Sequence, residues 1–196
     1  MANTYLLSDE AKRYLCCYYQ ILDEMIQSIS AAKLTQSISQ NTIVQMLPHH
    51  RAAIRLSRNI LEASNDGPVR RLAQRIAARE AETVERLEAE LPDAAQLTSP
   101  QMDRRLCQRR TDLIFREMYA QMGAVPESNR LDALFLRQMI PQRQGAIHAA
   151  RNALRYEVST GMAPILRSVI DNQSREVGQM RTLLNQRGGC QSCQGM

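Results

Sequence analysis

Slid along itself by 93 residues, this chain of 196 meets its own image without a gap. The shift lays "QMLP" at Gln45–Pro48 on "QMIP" at Gln138–Pro141, and pairs Ile21 with Ile114, Glu24 with Glu117 and Met25 with Met118. Further along it pairs Ala53 and Ile54 with Ala146 and Ile147, Arg58 and Asn59 with Arg151 and Asn152, and Leu61 with Leu154. Val84 then meets Val177. One offset held over such a span is an internal repeat, and it restricts the fold to two copies of one unit packed together.

Each copy reads as three helices. Apolar residues at Leu15, Tyr18, Leu22, Met25 and Ile29 recur three or four apart, the stripe of a helix from about Asp9 to Ala32. Phe115, Met118 and Met122 stand at the matching places of copy two. The second helix carries the proline motif and is expected to end near Ala63, or near Tyr156 in copy two. Pro48 should start or kink that helix, since it lacks a backbone donor and crowds the preceding turn. Gly67 is expected to close the second helix and Pro68 to open the third, with Ser159–Pro164 doing the same in copy two. The third helix has its stripe at Leu166, Ile170, Gln173, Val177, Met180 and Leu184, matched by Ala73, Ala77, Glu80, Val84, Leu87 and Leu91.

The expected architecture is all-α: two tandem related helical bundles, about six helices, connected tightly enough to be antiparallel. The first repeat covers 1–93 and the second 101–187; a Cys-x-x-Cys tail covers 188–196. Residues Leu91–Gln101 read as the linker, with Ser99 as an N-cap ahead of Pro100. Composition agrees, being rich in helix-forming Ala, Leu, Arg, Gln and Met with no Trp.

The net charge of +5 is almost entirely arginine, since Lys12 and Lys33 are the two lysines. The arginines are spread over every helix, which reads as a solvated face and not as a nucleic-acid interface. No apolar run is long enough to cross a membrane, and the N-terminal stretch shows no basic segment followed by an apolar one. A cytoplasmic protein is expected. Five cysteines, an odd number, do not suggest a disulfide framework, and at least one of Cys16 and Cys17 is expected to be a small buried hydrophobe.

Chemistry concentrates at "QMLPHHRAAI". Adjacent histidines on a regular helix diverge by roughly 100°, but at a proline kink His49 and His50 could converge. Met46, three and four residues earlier, brings a thioether within reach. Imidazole with thioether is a soft donor set, suited to copper(I). The alternative is a core methionine beside two histidines that bond helix ends or face water. Glu80, a carboxylate in the apolar seam of the third helix, is costly unless paired, and is expected to partner the histidines as ligand or supporting acceptor; the alternative is that it points to solvent on a locally rotated helix. Gln173 stands at its place in copy two. Cys190 and Cys193 could hold half a thiolate site or cross-link subunits into a homo-oligomer. His148 is expected to be an ordinary helix-face residue. No Glu-x-x-His, phosphate loop or nucleophile–base pair is present, so no enzyme and no di-iron site is expected.

These motifs resemble a bacterial family of ferritin-like helical domains of unknown function, with a signature close to D-x-x-F-x-x-x-M-I-P-H-H-x-x-A-I. Asp132, Phe135, Met139, Ile140, Pro141, Gly145, Ala146 and Ile147 carry it in copy two, and Met46, Pro48, His49, His50, Ala53 and Ile54 in copy one. A later Q-x-x-E-[IV]-x-x-M matches Gln173, Glu176, Val177 and Met180. The resemblance implies a ferritin-like fold and, from members implicated in copper binding, a copper site at Met46, His49 and His50. Copy two departs by placing Gln142 and Arg143 at the histidine positions, so its site is expected to be lost. The function expected is copper sequestration without turnover; the alternative is a structural or assembly protein of spore-coat or scaffold type with cysteine-linked subunits.

Overall fold

The computed structural model describes residues 7–188, which form six helices. They are α1 (Asp9–Ser30), α2 (Ile38–Ala63), α3 (Gly67–Gln96), α4 (Gln101–Gly123), α5 (Leu131–Ala153) and α6 (Met162–Gly188). The repeat is visible in the boundaries: α2 and α5 begin at equivalent residues, and α1 and α4 end at equivalent residues. It is visible in bonding too. Asn59 Nδ2 donates to the Tyr14 carbonyl at 3.0 Å, and its counterpart Asn152 donates to the Cys107 carbonyl at 2.9 Å.

Helices α2, α3, α6 and α5 form a ring in which each packs on the next, with α1 laid on α2 and α4 on α5. The core does not divide at the repeat boundary. One buried cluster joins Leu15, Tyr18, Leu56 and Ile76 to Phe115, Leu134, Phe135 and Met180. A second joins Met46 and Leu87 to Ala150, Leu166 and Val169. Each repeat therefore completes the other's core.

Several local expectations are corrected. Pro48 and Pro141 lie inside α2 and α5, so the proline starts neither helix. Gly67 opens α3 instead of closing α2, because the Asp66 side chain accepts from Val69 N at 3.0 Å and fixes the start there. Helix α3 runs through Pro92 to Gln96, leaving four residues as the linker instead of Leu91–Gln101. Ser99 does cap a helix, but not α4: its hydroxyl accepts from Ile38 N at 3.1 Å, at the start of α2. α1 stops at Ser30 and α5 at Ala153, short of the expected Ala32 and Tyr156. Cys16 is exposed and Cys17 half-buried, since Tyr14, Leu15 and Tyr18 take the inward face; Cys107 is buried instead. Cys190 and Cys193 lie outside the described residues.

Candidate functional site

His49, His50, Glu80, Gln142, Arg143, Gln173 and Glu176 meet where α2, α3, α5 and α6 face one another, all within the protein interior. The two copies of the motif touch each other here. His49 Nε2 donates to the Gln142 carbonyl at 3.0 Å, and Gln142 Nε2 donates to the His49 carbonyl at 3.1 Å. Residue i meets j and j meets i, the signature of a local two-fold axis between the repeats. Equivalent positions are thus brought together, not kept as two separate sites.

Glu80 is the hub. One carboxylate oxygen accepts from His50 Nδ1, and the other from Arg143 Nη1 and, at 3.1 Å, from Gln173 Nε2. Gln173, the residue that replaces Glu80 in copy two, serves Glu80 itself. Arg143 is among the largest fully buried side chains and also lies 3.7 Å from Glu176 Oε2; the half-exposed Arg79 reaches Glu176 from outside at 3.5 Å. Burial pushes the Glu80 carboxyl upward, but Arg143 and then His50 outweigh it and hold the group at about 2. Burial dominates at Glu176, and its carboxyl is raised. Burial, His50 and Arg143 together depress His49 to about 3, which keeps it neutral.

The two histidines differ in chemistry. Their rings stand 83° apart with centroids 5.4 Å apart. His49 stacks on Phe115, and both its nitrogens face Gln142: Nε2 the carbonyl, Nδ1 the side-chain amide at 3.4 Å. His50 turns Nδ1 to Glu80, and its Nε2 is buried without a hydrogen-bond partner among the described residues. A carboxylate behind one imidazole nitrogen with the other free is the arrangement that orients a metal-ligating histidine. Met46 is buried one turn before His50 on α2. Arg143 Nε and Nη2 and the side-chain amide oxygens of Gln142 and Gln173 also have no hydrogen-bond partner among the described residues. No group of three or more His, Cys, Asp or Glu side chains able to hold a metal occurs among them. His148 is exposed on α5, as expected.

The site thus contains more than the motif suggested. Arg143 is not a relic of a lost site but the buried counter-ion of Glu80, and Glu176 joins it. A fully buried arginine requires an acid, and Glu80 was the acid in the equivalent seam.

A duplicated six-helix protein with a polar cluster on its internal axis is the class these features define. Residues 40–184 match the family model described as Domain of unknown function (DUF305), and the chain belongs to that family. Its structure is similar to the crystal structure of a DUF305 fragment from Deinococcus radiodurans, with a TM-score of 0.56 and 25% identity over 76% of this chain and 96% of that one. No curated protein matches. No helix among the described residues is long and apolar enough to cross a membrane.

Proposed function

We propose that this chain is a non-catalytic binder of a soft monovalent metal, copper(I), anchored on His50 Nε2 with the Met46 thioether as second donor. The observation that carries this reading is the partnerless buried His50 Nε2, backed through Nδ1 by Glu80. An orphaned buried acceptor costs about 1–3 kcal/mol, and a ligand on that nitrogen removes the cost. Charge favours the smallest addition: Glu80 and Glu176 already face Arg143 and the half-exposed Arg79, so a monovalent ion disturbs the balance less than a divalent one. Copper(I) accepts few ligands of this softness, whereas magnesium or calcium would require several oxygens. His49 supports the site by holding α2 to α5 and offers it no lone pair.

A second reading is favoured by Arg143. Its guanidinium already neutralises Glu80, so the cluster can serve as a self-contained lock between the repeats of a structural or assembly protein. Anaerobic titration of the reduced protein with copper(I) against a competing chelator separates the two. On the metal reading, His50→Ala and Met46→Leu each weaken binding at least tenfold, while a folded His49→Gln protein keeps it. Absence of competitive binding in the parent chain would leave only the lock.

A further inference from the structure

Where α4 packs on the last turns of α5, an open groove of about 210 Å³ is lined by Arg110, Ile114, His148, Arg151, Asn152 and Arg155. No acidic side chain lines it. None of its three arginines forms an ion pair among the described residues, and all three are exposed. Asn152, only 4% exposed, ties the two helices together here: its Nδ2 donates to the Cys107 carbonyl at 2.9 Å and to Thr111 Oγ1 at 3.1 Å. Arg151 stands in the last turn of α5, where a cation complements the helix dipole. That does not account for Arg110, which comes from the middle of α4. Cations gathered without an acid repel one another, and an anion among them removes that repulsion.

The repeat supplies an internal comparison. In copy one the equivalents of Arg110, His148, Arg151 and Arg155 are Cys17, Arg55, Arg58 and Glu62. Arg55 is paired with Glu24 there, so two arginines stand against two acids and the face is near neutral. Glu117, the counterpart of Glu24, lines the adjoining groove, where Gln121 Nε2 donates to it at 3.1 Å. Copy two has therefore gained cations at this place and kept its acid out of it.

We infer that the groove between Arg110, Arg151 and Arg155 is a binding site for a phosphate group, either inorganic phosphate or that of a small phosphomonoester. A lone carboxylate would leave two of the three cations unbalanced. A phosphate group brings about −1.5 to −2 charges, on several oxygens that planar guanidinium forks grip in pairs. His148, one turn before Arg151 on α5, adds a ring nitrogen to the rim. The site shares no residue with the cluster at Glu80, and its occupancy does not depend on metal.

The test is calorimetry with amide chemical shifts on the full chain at constant ionic strength, using inorganic phosphate, glycerol 3-phosphate and acetate. At least one of the two phosphates should bind saturably, at least tenfold more tightly than acetate, and move the amides around Arg110, His148 and Arg151. The tighter of the two identifies the source of the group. Arg110→Gln/Arg155→Gln should weaken that binding at least tenfold. Arg105→Gln/Arg109→Gln removes the same charge from exposed, unpaired arginines of α4 outside the groove, and should change it by less than about twofold. Equal weakening by the two pairs, binding no tighter than that of acetate, or shifts centred elsewhere would overturn the assignment. A response to anionic vesicles or to RNA, without saturable binding of either small phosphate, would overturn it in favour of a macromolecular surface.

Discussion

Removing the Glu80 carboxylate leaves the Arg143 guanidinium buried with Glu176 alone, at 3.7 Å. Glu80→Ala should therefore destabilise the fold by about 3–5 kcal/mol in urea denaturation. The pair Glu80→Gln/Arg143→Gln should cost less than its two singles summed, with a coupling of about 0.5–3 kcal/mol; strict additivity would mean the two do not act together. Acid should loosen the same cluster in stages. His49 resists protonation until about pH 3, whereas the unfolded chain accepts that proton near 6.5. The unfolded state thus binds more protons in this window, and stability falls as pH drops below about 6.5, by at most about 1.4 kcal/mol per pH unit. Glu80, depressed from 4.5 to about 2, adds a further loss below 4.5. Glu176, raised by burial, acts in the opposite sense and offsets part of it. Stability of His49→Gln measured between pH 6.5 and 4.5 should show a flatter slope; an unchanged slope would assign the acid sensitivity elsewhere. At this scale the sequence disclosed the polar residues but not their partners. Gln142 meets both nitrogens of His49 whereas Glu80 meets only Nδ1 of His50, and that is decided by helices remote in sequence.

Helix contacts make Gly145 a demanding position. Gly145→Ala gains helix propensity but drives a methyl into Met118, and overpacking of this kind costs about 1–3 kcal/mol. A thermal melt that rises instead would show that Met118 moves aside freely. Ser99→Ala should cost about 0.5–2 kcal/mol, because Ile38 N at the start of α2 loses its acceptor. The apolar stripes of α1, α3 and α6 were legible because 3.6-residue periodicity is local. Caps and linkers were less so. Ser99 was identifiable as a capping residue, but its helix is over 60 residues away in sequence. Pro92 falls in the stretch read as linker, yet Ala94 behind it is fully buried and the helix continues across it.

The molecule as a whole has two core clusters, each built from both repeats. The first repeat alone would lack the second repeat's share of each cluster and strand Glu80 without Arg143, so a fragment ending after Gln96 should lack the cooperative unfolding transition of the full chain. A sharp thermal transition in that fragment would show the repeats to be independent. The duplication gave the helix count and the equivalence of positions, but not the axis that makes His49 meet Gln142; that follows from how two amphipathic units bury each other. One histidine, His50 and not the pair, has a nitrogen without a hydrogen-bond partner at this axis among the described residues. Imidazole nitrogen shifts from long-range proton–nitrogen correlation, recorded before and after addition of copper(I), test it most directly. The prediction is a proton on His49 Nε2 that stays in place, and a bare His50 Nε2 whose resonance alone moves when copper(I) is added. Equal movement of both rings, or a proton on His50 Nε2 with no response to the metal, would contradict it.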